Sequence, residues 1–160
     1  MSAGSAARPP RPTRDDYVAW RTATTRWRDD DAYGHLNNAT YYELFDTAVN
    51  AYLYEATGVD VRALPEIGVV AETGCRYFRE IGFPEPIEMG LVVDRVGTSS
   101  VVYRIGLFQG PSDEAAAEGR FVHVYVDNTH GAGNRPVAPL PDVVRAAVTP
   151  LLRPRPAGGA

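Results

Sequence analysis

The densest group of reactive side chains in this sequence is one short stretch, Asp29-Asp30-Asp31-Ala32-Tyr33-Gly34-His35-Leu36-Asn37-Asn38. Three consecutive carboxylates repel one another, and an apolar core has no place for them. A helical pattern starts directly after them, and a helix start carries unpaired N–H groups and positive dipole potential. A carboxylate facing such donors could attack a carbonyl, or activate water against it, while the N–H groups hold the developing oxyanion. Asp31 lies about one turn before the helix, within reach of such a role, although loop chemistry alone would make it a turn residue. Donors of this kind, near Asn38, are worth roughly 3–4 kcal/mol each when deleted. Gly34 lets the backbone approach a substrate closely because it has no side chain. Tyr33 joins it as a substrate contact, and His35 could orient water or Asp31.

Plainer roles compete for the same residues. Asp30 reads as a solvated turn residue, Asp29 as either turn or functional, and Asn37 or Asn38 as a helix cap. A metal site built from Asp29, Asp31 and His35 would place three ligands in one flexible loop with no second cluster, so no metal is expected. Elsewhere the signals are weaker. Cys75, in a strand-like run with no adjacent histidine, reads as a small buried residue. His123 alternates with Phe121 and Tyr125 and reads as structural, while His130 falls in a glycine-rich turn. No Gly-x-Ser-x-Gly elbow is present, which argues against a serine hydrolase.

Composition narrows the class further. All sixteen basic residues are arginine, so lysine Schiff-base chemistry and a lysine phosphate loop are excluded. A net charge of −4 argues against a nucleic-acid partner. The single cysteine allows no intrachain disulfide, and no apolar run reaches the length of a membrane span. No signal-peptide core is visible, so the expected compartment is the cytoplasm.

The elements that must position the loop can be read from periodicity. Residues 1–14 and 153–160 are proline-rich with little to bury, and read as disordered tails around one domain, 15–152. Tyr17–Trp27 suits a strand. Tyr41, Leu44, Phe45, Ala48, Ala51, Tyr52 and Ala56 fall on one helix face over 39–57, a rod of roughly 27 Å, with Gly58 as C-terminal cap. Strand-like runs follow at 67–81, 87–96, 100–109 and 119–127, as in an antiparallel meander, and a short helix spans 141–152. The layout is α+β. A sheet curled around one helix exposes edges, and a homodimer pairing the 67–81 strand with its two-fold mate would cover one.

The segment "RWRDDDAYGHLNNATYYELFDTA" resembles the opening motif of the hotdog-fold acyl-CoA thioesterases, in the 4-hydroxybenzoyl-CoA thioesterase-like branch. Arg26, Trp27, Asp29, Asp31, Gly34, His35, Asn37 and Asn38 match it without a gap, and the later segments at 69–90 and 118–127 also look like that family. The resemblance implies an antiparallel sheet of about five strands wrapped around one long helix, with a short C-terminal helix. It implies hydrolysis of an acyl-CoA thioester without a cofactor, by a dimer or dimer of dimers. It assigns nucleophile or general base to Asp31 and the oxyanion N–H to Asn38 or a neighbour; some members use a helix glutamate, for which Glu43 is nearest. Coenzyme A phosphates would meet the Gly97-Thr98-Ser99 hairpin through hydroxyls and N–H groups, with Arg76 as a further contact and Arg79, Arg95, Arg104 and Arg120 as other possibilities. Tyr41, Tyr42, Phe45 and Tyr77 could line an aromatic or medium-chain pocket. Two alternatives stand beside this: a non-catalytic acyl-thioester-binding module, and a 3-hydroxyacyl dehydratase using His35 with Glu43 or Asp46, whose His-Phe-Pro and Pro-Gly signatures are absent.

Overall fold

Tyr41, Phe45, Ala48, Val49 and Leu53 form the buried stripe of helix α1, Asn38–Thr57, and the sheet curls around that stripe. The computed structural model describes residues 8–156. The stripe differs from the expected one: Val49 and Leu53 are buried, Ala56 is exposed, and Leu44, Ala51 and Tyr52 are half-buried. Asn37 caps the helix start, its Oδ1 accepting the Ala39 N–H at 3.0 Å. Gly58 ends the helix at φ +69°, its N–H donating to the Tyr54 carbonyl. Removing the cap oxygen costs about 1 kcal/mol in such positions. Asn37→Ala should therefore lower the denaturant midpoint by that equivalent while Asn37→Asp does not.

Five antiparallel strands follow the order β1-β3-β4-β5-β2, with β1 Ala19–Ala23, β2 Glu66–Tyr77, β3 Ile87–Val96, β4 Ser100–Phe108 and β5 Ala117–Asp127. Only β3, β4 and β5 form a meander. β2 lies beside β5 rather than β3, and its other edge is unpaired among the described residues. The first strand is shorter than expected: Trp27–Asp29 is a 3-10 turn, and β2 stops at Tyr77. Gly119 allows α1 to sit close, since a Cβ there would lie 2.5 Å from the Phe45 ring. Helix α2, Asp142–Val148, packs beside α1, and the Tyr52 hydroxyl donates to the Ala147 carbonyl at 2.6 Å.

The outer face of the sheet is covered by the two chain ends, parts of which had read as free tails. Tyr17 packs with Val92, Phe108 and Ala115, over Gly106, where a Cβ would meet its ring at 2.4 Å. The Arg153 N–H donates to the Val93 carbonyl, and Arg155 places two nitrogens 2.8 Å from the Glu118 carboxylate. At the other end, the Pro12 carbonyl accepts the Ala115 N–H. Residues 1–7 and 157–160, the outer parts of those tails, lie outside the described residues.

His123 points inward from β5 among Phe121, Tyr103 and Tyr125, with ring centroids 5.0–6.3 Å away. Burial pushes its pKa down from 6.5 to about 4. Between those values the unfolded chain binds a proton that the folded chain does not, so stability falls as pH drops through this window. The loss attributable to His123 is about 3 kcal/mol. Urea titrations at pH 7 and pH 4 should show a loss of stability that is smaller in His123→Phe than in the native chain by about that amount, the remaining loss belonging to carboxylates.

Candidate active site

The acidic loop is organised by three different partners for its three carboxylates. Asp29 is buried and serves the loop's structure. Its Oδ1 accepts from Arg26 Nε and Nη2 at 3.0 and 2.8 Å, and its Oδ2 accepts the Arg26 N–H. Burial alone would raise the Asp29 carboxyl, but these hydrogen bonds outweigh it and hold it below the ordinary range. Asp30 is not a solvated turn residue either: its Oδ1 accepts the Phe83 N–H at 3.1 Å, tying the loop to the 78–86 connection. With Asp29 committed to Arg26, the three supposed metal ligands do not converge.

Asp31 faces a cleft. Its carbonyl accepts the Gly34 N–H, Gly34 takes φ +81°, and the Asp31 N–H donates to the His35 carbonyl at 2.8 Å. This tight turn needs a glycine at its fourth position. Asp31 Oδ1 accepts the Tyr33 N–H at 2.8 Å, with the His35 N–H at 3.5 Å, which orients the carboxylate and leaves Oδ2 unengaged by the described residues. The cleft, about 610 Å³, is lined by Asp31, His35, Asn38, Tyr41, Tyr77 and Glu80, with Leu36, Phe78 and Arg79 completing it.

At the helix start the donors are accounted for one by one. The Ala39 N–H goes to Asn37 Oδ1 and the Thr40 N–H to the Asn37 carbonyl. The Asn38 N–H has no acceptor among the described residues. Asp31 and Asn38 thus bring to one cleft an oriented carboxylate and an open donor at the positive end of a 20-residue helix.

His35 lines the same cleft, but its ring pairs elsewhere: Nε2 lies 2.9 Å from Glu80. Glu80 had no marker in the sequence, because it follows a strand and is brought in only by the 78–86 turn. Tyr41 and Tyr77 meet edge to face at 4.8 Å. Burial pushes Tyr41 up to about 12 and also raises Tyr77, so both stand as neutral hydroxyls. Cys75 is pushed up to about 11 by burial, which leaves a protonated thiol and no nucleophile.

The remaining expected contacts are placed elsewhere within the protomer. Tyr33 is 84% exposed and does not line the cleft, and Gly34 is exposed beside it. Arg76 turns to the outer face and pairs with Glu118 at 2.9 Å. Thr98 and Ser99 belong to the β3–β4 hairpin at the opposite end of the sheet, where the Thr98 carbonyl accepts the Leu140 N–H and the Ser99 carbonyl that of Tyr125. Arg104 is buried against Asp94, Arg120 pairs with Glu72, and Arg95 is exposed; Arg79 is the arginine of that set in the cleft. Glu43 and Asp46 are exposed and lie outside the cleft lining. No group of histidine, cysteine and acidic residues able to hold a metal occurs among the described residues.

A five-stranded antiparallel sheet around one long helix, with its cleft at the helix start, defines a hotdog protein. The chain belongs to the thioesterase-like superfamily, whose model matches residues 25–148. It is similar to the PA5185 protein of Pseudomonas aeruginosa strain PAO1, with 45% identity, a TM-score of 0.83, and coverage of 89% of this chain and 97% of that one. The PA2801 protein of the same species shows 28% identity and a TM-score of 0.72 over 82% of this chain and 98% of that one. The gentisyl-coenzyme A thioesterase BH1999 shares the fold at 19% identity, with a TM-score of 0.69 over 81% and 99% of the two chains. No curated protein matches the chain.

Proposed function

We propose that the protein hydrolyses an acyl-CoA thioester to a free carboxylic acid and coenzyme A, with Asp31 as nucleophile or general base. The observation that carries this reading is the open Asn38 N–H and the oriented Asp31 carboxylate facing one cleft. A thioester carbonyl bound with its oxygen on the Asn38 N–H exposes its carbon to the unengaged carboxylate oxygen, or to a water that this oxygen deprotonates. The C–O bond forms as charge moves onto the carbonyl oxygen. The intermediate then collapses, breaks the C–S bond and expels the thiolate, which needs no strong acid; where Asp31 itself attacked, water then hydrolyses the mixed anhydride, releasing the acid and restoring the carboxylate. His35, paired with Glu80, shapes the cleft wall and does not touch the Asp31 carboxylate through its ring.

The assembly we propose is a homodimer across β2, whose free edge is twelve residues long and carries Val70 at 47% exposure. Such an edge is a template for a second strand. Antiparallel pairing about the strand's midpoint would carry the partner's Thr98 and Ser99 hairpin toward the Asp31 end of the first protomer, where coenzyme A could meet their hydroxyls. No helix among the described residues is long and apolar enough to cross a membrane.

The test is thiol release from a panel of acyl-CoAs of varied chain length and aromaticity. Turnover of at least one supports the reading, and none by the folded dimer rejects it in favour of a non-catalytic binding module. A single turnover in labelled water, with a parallel sample quenched in borohydride, separates the two roles of Asp31. Label in the Asp31 carboxylate, or reduction of that residue by trapping of a mixed anhydride, means attack by the carboxylate. Label only in the acid, with no trapped anhydride, means water activation.

A further inference from the structure

A second cavity, of about 340 Å³, lies at the far end of α1. Its apolar walls include Leu53 and Ile67, and its deep side is made by His123 and Tyr125, which are 3% and 2% exposed. Gly68 makes the room, since a Cβ there would sit 3.0 Å from the His123 ring and 3.1 Å from that of Tyr125. Both deep rings are neutral near pH 7: burial alone pushes His123 down to about 4 and Tyr125 up to about 12. His123 Nδ1 is sealed against Gly68 with no hydrogen-bond partner among the described residues, which leaves the other ring nitrogen and the Tyr125 hydroxyl as the polar atoms open to the cavity at that depth. Charge is confined to the rim, where Asp60 occupies Arg62 through Nε and Nη2, and Arg135 is exposed. The depth of the cavity therefore offers hydrogen bonds without charge.

Its position matters as much as its lining. Ile67 and Gly68 begin β2, whereas Tyr77, which lines the Asp31 cleft, ends it. Along one strand Gly68 and Tyr77 are about 30 Å apart. Pairing two copies of β2 about the midpoint reverses this, setting the partner's Gly68 beside Cys75 and the partner's Ile67 beside Arg76. The partner's cavity then adjoins the cleft that holds Asp31.

We infer that this cavity in one protomer receives the far end of the acyl group whose thioester lies in its partner's cleft, and that it selects acyl groups ending in a hydroxyl or carbonyl. The inference rests on the thioesterase reading and on the β2 pairing. A methyl end would leave the deep polar groups dry and unpaired, and a site made to hydrogen-bond discriminates strongly against an analogue lacking the group. A carboxylate end would lose its hydration with no cation at that depth.

The experiment compares kcat/KM for equal-length straight-chain acyl-CoAs ending in methyl, hydroxyl or carboxylate, in the native dimer, His123→Phe and Tyr125→Phe. The hydroxyl end should be favoured by about tenfold or more in the native chain. Both variants should bring that ratio toward one, and the ratio, not the absolute rate, is what the comparison reads. Titration of the corresponding thioether analogues reads the same preference as a ratio of Kd and needs no turnover. A His123-dependent preference without thiol release defeats the hydrolase reading alone. Thiol release with a ratio indifferent to both variants, a native preference for methyl or carboxylate, or a chain that sediments as a monomer overturns the inference.

Discussion

Asp31→Asn lowers kcat for thiol release by about 10²–10⁴, the range that a positioned general base contributes. Asparagine keeps the shape of the side chain and can still accept the Tyr33 N–H through its amide oxygen, so the loop survives. What it lacks is the ionised oxygen that Asp31 turns toward the cleft. KM should change little, because in the proposed reaction Asp31 holds neither the thioester oxygen nor the coenzyme, and the fall in kcat/KM should follow kcat as it does when a contact made only in the transition state is lost. The contrast is Asp30→Asn, which touches the Phe83 N–H and not the cleft; its kcat should stay near native. Equal rates for native protein and Asp31→Asn would remove Asp31 from the chemistry.

Glu118→Ala should be the most destabilising single substitution on the outer face of the sheet. The Glu118 side chain is 4% exposed and meets Arg76 at 2.9 Å, Arg155 at 2.8 Å and Arg104 at 3.6 Å, while the Tyr17 hydroxyl donates to its Oε2. Burial by itself would raise this carboxyl, but hydrogen bonds from Arg155 and Tyr17, with the charges of Arg155 and Arg104, hold it below the usual range. Removing the acid leaves three guanidinium groups close together, of which Arg104 is itself buried against Asp94. Breaking a buried pair on one side costs about 3–5 kcal/mol. For a domain of this size the Tm should fall by roughly 10 °C. Since the folded pKa is depressed, the contribution is present above the carboxylate range and is lost as pH falls through it. Glu118→Gln retains shape and an acceptor for Tyr17 but deletes the charge. If it melts with the native protein, charge balance is not what stabilises this face. Because both chain ends converge here, the Glu118→Ala variant should also become susceptible to cleavage after Leu151 and Leu152 before global unfolding, which limited digestion with chymotrypsin would read.

Local chemistry in the sequence was enough to determine the long helix and the loop before it. The helical spacing that begins at Tyr41, an asparagine able to cap and a glycine able to end the helix all act within a few residues. The structure has that helix with both caps, although its buried stripe runs through Val49 and Leu53 instead of Ala51 and Ala56. The same holds for Gly34, whose positive φ follows from the turn itself. What distinguishes Asp29, Asp30 and Asp31 could not be read locally, because the three side chains are chemically identical. The tertiary structure decided it by bringing Arg26 to the first, the Phe83 N–H to the second, and an open cleft to the third. Strand order behaved in the same way: β2 carries no mark that sends it to β5 instead of β3, since pairing depends on which edges the curled sheet presents once α1 fills its interior. Arg76 and Arg104 read as surface or ligand arginines until Glu118 drew both to the outer face of the sheet, where Arg155 of the C-terminal segment meets the same carboxylate. Residues whose partners lie within one turn are legible in sequence; those whose partners arrive from elsewhere acquire their roles only when the chain closes on itself.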